Sequence, residues 1–241
     1  MNTVVSKILI CIPTFNEREN ILEILTRFRT ICETDILIID DNSPDGTGRY
    51  VQTLIDNQLI SNLYLLRRPA KEGLGPAYKA GFSWGITTGY THFLECDADG
   101  SHQPEEFPRI LAKLNSADLI LGTRWMPGGK VINWPLHRRL ISQLGTKYAQ
   151  TILRLPYRDL TGGYRLISAE ALSKIHYEEI STLGYGFQIE MALRVARAHL
   201  RIVEIPITFI ERRLGQSKMS QKIVIEAFLQ TTRWALFPPR R

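Results

Sequence analysis

Asp97 and Asp99 are the two residues whose types and spacing most directly suggest chemistry. They follow the apolar run at 92–96 (HFLEC), and residues two apart in an extended chain point to the same side. Two neighbouring carboxylates need a cation between them. Their hard oxygen atoms favour Mg²⁺ or Mn²⁺, which keep positions open for waters and for the phosphates of a nucleotide diphosphate. Because Asp-Ala-Asp-Gly is also typical of a solvated turn, the surrounding sequence has to decide between these interpretations.

The elements that must position this pair form a βαβ pattern. Four short apolar runs, separated by helix-like segments, lie at 7–12 (KILICI), 36–40 (ILIID), 63–66 (LYLL) and 92–96. This pattern predicts a parallel sheet, whose ligands bind at the carboxyl ends of the strands. The polar motifs at these ends are PTFNE (13–17), DDNSPDGT (40–47), KEGLG (71–75) and DAD (97–99). Carboxylates such as Asp41 or Glu17 can accept hydrogen bonds from a nucleobase, and a glycine-rich turn lets the backbone approach ribose or phosphate, so a nucleotide crevice is predicted.

Further elements are predicted from periodicity. They are a helix from near Asn16 to Phe28, a fifth strand at 118–121, a helix at 186–199, and a strand at 201–210 in which Pro206 indicates an edge or a bend. Two other segments, 136–152 and a stretch near the C-terminus, have the pattern of amphipathic helices. Their apolar faces suit either the protein core or a membrane interface with Arg and Lys towards the headgroups, and the sequence leaves both open.

Length and composition limit the class of protein. A chain of 241 residues is expected to form one domain with a full core. Cys11, Cys32 and Cys96 lie in or beside apolar runs without metal-like spacing, so we interpret them as reduced core residues of an intracellular protein. No window reaches the roughly 18 apolar residues of a spanning helix, and the N-terminus has no signal-peptide pattern, so we expect a soluble or peripheral protein.

The net charge of +6 is concentrated in two blocks. Residues 122–165 carry +7 and residues 211–241 carry +5. Blocks this asymmetric favour an anionic partner such as phosphate or anionic lipid over nucleic acid, although a solvated basic face would have the same composition.

Seven motifs, spread over nearly the whole chain, are similar to those of a known family. They are IPTFNERENI (12–21), IDDNSPDGTG (39–48), KEGLGPAYKAGF (71–82), DADGSHQPEE (97–106), LGTRWMPGG (121–129), DLTGGYR (159–165) and IPITFIERRLGQSKMS (205–220). With them the sequence resembles the family 2 glycosyltransferases of the GT-A fold, and among these the polyprenyl- or dolichyl-phosphate mannosyltransferases. The resemblance implies an α/β, Rossmann-like fold with a mostly parallel central sheet flanked by helices, plus amphipathic interfacial helices.

The resemblance also implies an activity, which is inverting, metal-dependent transfer of mannose from GDP-mannose to a polyprenyl or dolichyl phosphate. Pro13, Phe15, Glu17, Asp41 and Asp97 would bind the nucleotide, and Asp97 and Asp99 would hold Mg²⁺ or Mn²⁺. Arg124, Arg138, Arg212 and Lys218 would face the acceptor phosphate, with Asp97, Asp99 and Arg124 as the catalytic residues. The implied organisation is one domain with a nucleotide-sugar half (1–125), an acceptor half (126–220) and a C-terminal amphipathic helix (221–241).

The sequence departs from the family in two places. Some members carry Gln two residues after the second Asp as a further metal contact, whereas this chain has Ser101 there and Gln103 two residues later. Many relatives have C-terminal transmembrane helices, whereas this sequence ends in the amphipathic segment. We therefore expect it at the cytoplasmic face of a membrane, on the lipid surface or on a separate membrane-anchored partner.

Two other functions stay open at this stage. One is transfer of glucose to the same class of lipid, and the other is a non-catalytic nucleotide-sugar-binding subunit recruited to membranes. Structural roles are favoured for three polar residues: Asp159 is expected to cap the preceding basic helix or orient its arginines, while Gln188 and Glu190 lie mid-helix, with Glu190 in a buried salt bridge.

Overall fold

The computed structural model describes residues 6–212 and 221–239. Its main sheet has seven strands in the order β3-β2-β1-β4-β7-β5-β8, and β6 pairs with β9 in a second, two-stranded sheet. The strands are β1 (Ile8–Thr14), β2 (Asp35–Asp40), β3 (Leu63–Arg67), β4 (His92–Glu95), β5 (Leu119–Thr123), β6 (Lys130–Ile132), β7 (Arg165–Ser168), β8 (Ile202–Pro206) and β9 (Thr208–Ile210). All pairs are parallel except those of β7, which runs antiparallel to β4 and β5.

Helices cover both faces of the main sheet. They are α1 (Ile21–Arg29), α2 (Thr47–Asp56), α3 (Leu74–Thr87), α4 (Phe107–Leu111), α5 (Leu136–Leu153), α6 (Ala169–Lys174), α7 (Tyr185–Arg197) and α8 (Gln221–Leu236). Side chains alternate between the two faces along each strand. In β1, Leu9 and Cys11 join the core under α3 and α7, whereas Ile10 and Ile12 join the core under α1 and α2. All four are fully buried, which explains the continuous apolar runs of these strands.

Helix α3 lies unusually close to the sheet because its buried face carries glycines. A Cβ atom at Gly81 would lie 2.5 Å from Cδ1 of Ile39, and one at Gly85 would lie 2.3 Å from Cε1 of Phe93. Only a residue without a side chain fits at these positions. The close contact holds the middle and the end of α3 against β1, β2 and β4.

The prediction of a helix from near Asn16 was wrong at its start, since α1 begins at Ile21. The backbone N–H groups that would form the first turn donate instead to side chains of the loop after β2. Asn16 donates to Oγ of Ser43 at 3.1 Å, Glu17 to Oγ1 of Thr47 at 3.0 Å, and Arg18 to Oδ2 of Asp45 at 3.0 Å. Asn16 also has φ of 58°, outside the helical region. The segment is therefore a loop that ties the ends of β1 and β2 together.

The segment predicted as one strand at 201–210 is two strands. β8 forms an edge of the main sheet and ends at Pro206, as expected for a proline that cannot donate to a neighbouring strand. After Ile207 the chain continues as β9, which pairs with β6. The antiparallel β7 and the short β6 were not predicted.

Candidate active site

The carboxyl ends of β1, β2, β3 and β4 open into one crevice of about 440 Å³. All four polar motifs predicted from the sequence contribute to its walls, and Arg212 and Glu226 close another side. The lining residues include Pro13, Phe15, Glu17, Asp41, Lys71, Glu72, Gly73, Asp97 and Asp99. The crevice lies beside β1, where the strand order reverses between β2 and β4, which is the usual ligand position in a parallel sheet.

One end of the crevice combines an aromatic ring with buried carboxylates. The ammonium group of Lys71 lies 4.3 Å from the ring centroid of Phe15. Glu17 is 7% exposed and accepts a hydrogen bond from Nδ2 of Asn20 at 2.8 Å, and Asp41 is 5% exposed. A flat apolar surface next to carboxylate acceptors suits a nucleobase, which offers a ring face and N–H donors.

The other end holds the aspartate pair. Oδ2 of Asp99 lies 3.0 Å from Nη2 of Arg212, and Oδ1 accepts the backbone N–H of Ser101 at 3.0 Å. The side chain of Asp97 is 36% exposed, and its Oδ2 lies 3.8 Å from Nδ1 of His102. The same ring nitrogen accepts the backbone N–H of Asp97 at 3.0 Å. Nδ1 of His102 is therefore an acceptor, and the ring holds the loop by a neutral contact.

The two carboxyl groups have opposite pKa shifts. Burial, reinforced by the charge of Asp99, raises the pKa of Asp97 above its ordinary value. Burial acts in the same direction on Asp99, but the Arg212 guanidinium and the hydrogen bonds from Ser101 outweigh it and lower the pKa of Asp99. Arg212 thus neutralises Asp99, whereas the ionised form of Asp97 is disfavoured and would be stabilised by a cation bound in the crevice.

The donor set fits a divalent ion that keeps substrate phosphates in its coordination shell. Two carboxylates are typical protein ligands of Mg²⁺ in nucleotide sites. Within residues 6–212 and 221–239, no cluster of three or more His, Cys, Asp or Glu side chains could hold a metal ion by itself. Gln103 does not extend the set, because its amide donates to the carbonyls of Gly100 and Ser101 and accepts from Arg27 at 2.7 Å. Asp97 and Asp99 are the residues that would hold the ion.

A second cavity of about 370 Å³ lies between α5 and α8 and is mainly apolar. Its walls include Ile141, Leu144, Tyr148 and Phe228, while Arg124 and Arg138 supply the charges at its polar end. Tyr148 joins the two helices, since its ring stacks on Phe228 with centroids 4.4 Å apart. An apolar space with two arginines in its wall has the chemistry to receive an apolar chain with an anionic head.

Arg124 is held at this cavity by a buried fork. Its Nε and Nη2 donate to the two carboxylate oxygens of Asp159 at 2.7 and 2.8 Å, and its backbone N–H donates to the same residue at 3.1 Å. Asp159 is fully buried, and Arg124 offsets the effect of burial so that the pKa of Asp159 lies below its ordinary value. Asp159 therefore orients an arginine, as predicted, but the arginine follows β5 and is not on the helix α5.

One short segment after β9 links the two sites, because Glu211 binds Arg138 and the next residue, Arg212, binds Asp99. Nη1 of Arg138 donates to both carboxylate oxygens of Glu211 at 2.6 Å. Arg212, the next residue, contacts Asp99 in the nucleotide crevice. The segment is fixed to both sides, because Ile210 donates to the carbonyl of Ser101 and Glu211 donates to the carbonyl of Ile132. Lys218, the fourth predicted phosphate ligand, lies outside the described residues.

The structure also assigns the polar residues of α7. Glu190 is buried and accepts from Nε of Arg194 at 2.9 Å, which confirms the predicted buried salt bridge. Nε2 of Gln188 donates to Oε2 of Glu95 at 2.5 Å, in the strand that leads into Asp97. Burial raises the pKa of Glu95 to about 7. The Gln188–Glu95 hydrogen bond therefore stabilises the end of β4 from which the loop of Asp97 and Asp99 begins.

Sequence reasoning missed several supporting residues, among them Arg68, His102, Trp134 and Glu211. Each has a partner far along the chain, which for Trp134 is the ring of Phe209, so no local spacing indicates it. Arg68 contacts Asp41, Glu211 contacts Arg138, and the His102 ring stacks on Tyr164. His102 lies within the quoted motif DADGSHQPEE and Glu211 within IPITFIERRLGQSKMS, and these motifs were the available signals.

A mostly parallel sheet with an Asp-x-Asp loop at its strand ends defines a glycosyltransferase-type α/β domain. The family model described as Glycosyl transferase family 2 matches residues 9–176, so the chain belongs to glycosyltransferase family 2, which confirms the predicted family. The undecaprenyl-phosphate mannosyltransferase of Micrococcus luteus is 48% identical over 231 residues, covering 95% of this chain and 94% of that protein. The polyprenol monophosphomannose synthase of Mycolicibacterium smegmatis is 42% identical over 233 residues, covering 95% and 86%.

Solved structures confirm the predicted fold class. Glucosyl-3-phosphoglycerate synthase of Mycobacterium tuberculosis, in a complex with Mn²⁺, UDP and glucosyl-3-phosphoglycerate, superposes with a TM-score of 0.73. The match covers 98% of this chain and 81% of that one at 14% identity. Its complex with Mn²⁺, UDP-glucose and phosphoglyceric acid gives the same TM-score at 15% identity. At this identity the likeness concerns the fold alone.

The buried Arg124–Asp159 ion pair, called the fork here, predicts that removing the charge of Asp159 strongly lowers the free energy of unfolding. Asp159→Asn removes the buried carboxylate and leaves the Arg124 guanidinium without a counter-charge, so we expect a loss of about 3 kcal/mol in the free energy of unfolding. Urea unfolding measures it. Asp118→Asn is the matched control, because its partner Arg201 has a side chain that is 61% exposed, and its loss should be at most about 1 kcal/mol. Equal losses in the two variants would contradict the importance of the fork.

Proposed function

We propose that this glycosyltransferase transfers mannose from GDP-mannose to a polyprenyl phosphate and inverts the anomeric carbon. The observation that carries the proposal is the pairing of a nucleotide crevice with a separate apolar cavity that ends at Arg124 and Arg138. A polyprenyl phosphate has an apolar chain and one anionic head, which are the two properties of that cavity. The names of the two curated relatives, both at least 42% identical, support the same acceptor and sugar.

The donor is assigned to the crevice. Phe15 would cover the base, and Asp41 and Glu17 would accept from its N–H groups. Asp97 and Asp99 would hold Mg²⁺ or Mn²⁺ against the diphosphate. When bound, the ion stabilises the negative charge that develops on the departing nucleoside diphosphate. Arg212, which is predicted to face the acceptor phosphate, contacts Asp99 and would therefore meet phosphate beside the metal site.

The acceptor needs no general base. A phosphate monoester has its second pKa at about 6, so it is largely dianionic near neutral pH and is itself the nucleophile. The protein has to position the acceptor phosphate and to offset its electrostatic repulsion from the phosphates of the donor. Arg124, held rigidly by Asp159, and Arg138 supply that positioning, because a guanidinium binds two phosphate oxygens in a fixed plane. Attack from the side opposite the leaving group gives inversion.

We also propose that α5 and α8 place the acceptor cavity on an anionic membrane surface. Large apolar side chains of both helices face solvent, with Leu136, Leu144 and Leu236 exposed by 72%, 67% and 71%. Exposed basic residues, including Arg139 and Lys147, lie on the same helix α5. This combination is typical of helices that lie in the membrane interface. In the described part of the chain, no helix is long and apolar enough to cross a membrane.

The transfer itself is tested with labelled GDP-mannose, a short polyprenyl phosphate in detergent, and Mg²⁺, Mn²⁺ or EDTA. We expect a metal-dependent mannolipid from the wild-type protein. Asp99→Asn removes one metal-binding charge and should lower the rate at least about a hundredfold, since metal stabilisation of the leaving group amounts to several kcal/mol.

The matched control is Asp56→Asn, an exposed aspartate at the end of α2, which should keep the wild-type rate. UDP-glucose serves as the competing donor. Product from UDP-glucose but not from GDP-mannose would replace mannose by glucose in the proposal. Nucleotide binding without product from either donor would indicate the non-catalytic alternative.

Membrane binding is tested by co-sedimentation with vesicles of phosphatidylcholine, with and without phosphatidylglycerol. Wild-type protein should bind the anionic vesicles and dissociate as salt increases. The double variant Leu136→Asp/Leu236→Asp places charges on the lipid-facing side and should weaken binding about tenfold or more. Leu59→Asp, which changes a leucine that is 64% exposed at the opposite end of β3, is the control. Equal weakening by both variants, or wild-type protein that stays in solution, would contradict the membrane proposal.

A further inference from the structure

Arg68 is a buried cation directly behind the nucleobase end of the crevice. It follows β3, and its side chain is 8% exposed. Its Nη1 donates to Oδ1 of Asp41 at 2.5 Å, and its Nη2 donates to Oε2 of Glu72 at 2.5 Å. Both carboxylates line the crevice. One guanidinium therefore joins two crevice residues that come from the ends of different strands.

The backbone fixes Arg68 and Asp41 relative to each other. The N–H of Arg68 donates to the carbonyl of Asp40 at 2.8 Å, and the N–H of Asp41 donates to the carbonyl of Thr14 at 3.0 Å. Nδ2 of Asn42 donates to the carbonyl of Pro69 at 3.1 Å. Both residues thus continue the strand pairing by one position, and the side-chain contact does not depend on a mobile loop.

A cation beside Asp41 favours the charged form of its carboxyl group, which presents acceptors only. Burial raises the pKa of its carboxyl group above the ordinary value, and the charge and the hydrogen bond of Arg68 offset part of that rise. A carboxylate only accepts hydrogen bonds, while a neutral carboxyl group also presents a hydroxyl donor. The edge of guanine offers two adjacent donors, its ring N–H and its 2-amino group, and a protonated Asp41 would meet them with a third.

The contact with Arg68 leaves room for a base. Each carboxylate oxygen can accept two hydrogen bonds. Oδ1 of Asp41 is bonded to Arg68, and Oδ2 accepts no hydrogen bond from the residues that the structure describes. Arg68 therefore orients the carboxylate through Oδ1, while Oδ2 can accept a hydrogen bond from a ligand.

We propose that Arg68 is a positioning residue for the nucleobase, which holds Asp41 as a charged, oriented acceptor and thereby produces selectivity for guanine through its 2-amino group. The inference rests on the proposed function, in which the donor carries guanine and Asp41 contacts it. Beyond the proposed function, the inference assigns a role to Arg68, which does not touch the substrate. It also names the 2-amino group as the part of the base that is recognised.

The test compares GDP with inosine diphosphate, which differs from GDP by the absence of the 2-amino group. Dissociation constants are measured by titration calorimetry in the presence of Mg²⁺, with UDP as a third ligand. A hydrogen bond to a charged group should make the wild-type protein bind GDP about tenfold more tightly than inosine diphosphate.

Three variants isolate the role of Arg68. Arg68→Met removes the charge, and Arg68→Lys keeps the charge but cannot hold two carboxylates in one plane. Arg67→Met removes the neighbouring, exposed arginine and is the control. We expect the GDP preference to fall to about twofold or less in Arg68→Met and to decrease in Arg68→Lys. Arg67→Met should keep the wild-type ratio.

The ratio separates a positioning role from a purely structural one, because loss of structure would weaken GDP and inosine diphosphate equally. A wild-type ratio in folded Arg68→Met would overturn the proposal. If circular dichroism shows that Arg68→Met does not fold, Arg68→Lys decides in the same way. Wild-type protein that binds UDP as tightly as GDP would contradict the donor in the proposed function. If the protein prefers GDP to UDP but the Arg68 variants keep the wild-type ratio of GDP to inosine diphosphate binding, the role of Arg68 is wrong and the proposed donor stands.

Discussion

Buried carboxylates must be neutralised, and this constraint organises the site. Asp159 is fully buried, and it is stabilised there by the two-point contact with Arg124. Asp41 is stabilised by Arg68, and Asp99 by Arg212. A carboxylate moved from water into a protein interior without a partner costs several kcal/mol. In each pair the arginine comes from a different part of the chain than the acid, so the pairs can form only when the fold is complete.

The same pairs determine how ligands can enter. Under the proposed function, a divalent cation would compete with Arg212 for Asp99, and an acceptor phosphate would compete with Glu211 for Arg138. Glu211 and Arg212 are adjacent in sequence, and β9 fixes the segment that carries them against the loop of Ser101. The nucleotide crevice and the apolar cavity are therefore joined by one short connection.

The sequence indicated the parts of the fold that depend on local patterns. Continuous apolar runs gave β1 to β5, and the position of Pro206 gave an edge strand. The polar motifs after the first four strands converge because parallel strands end at one side of a sheet. The start of α1 was not predictable, since it depends on hydrogen bonds from residues 16–18 to side chains about 27 residues later. The antiparallel β7 was also missed, because only two of its residues, Leu166 and Ile167, are apolar.

Long-range charge pairs were the main part of the site that the sequence could not indicate. Arg124 and Asp159 are 35 residues apart, and Arg138 and Glu211 are 73 apart. Nothing in their spacing connects them, although each lies in or near a motif that the family resemblance singled out. The resemblance named Arg124, Arg138 and Arg212 as phosphate ligands, and that assignment stays a prediction. The structure adds the partner that holds each of the three arginines.

The central claim is that the apolar cavity between α5 and α8 receives the lipid chain while its phosphate meets Arg124 and Arg138. A polyprenyl phosphate with a photoreactive diazirine in the isoprene unit next to the phosphate tests it most directly, with adducts mapped by mass spectrometry. If the lipid chain lies in this cavity, adducts form on Ile141, Leu144, Tyr148 or Phe228 and disappear when unlabelled polyprenyl phosphate competes. Competable adducts confined to other surfaces, such as α1 or α2, would contradict it.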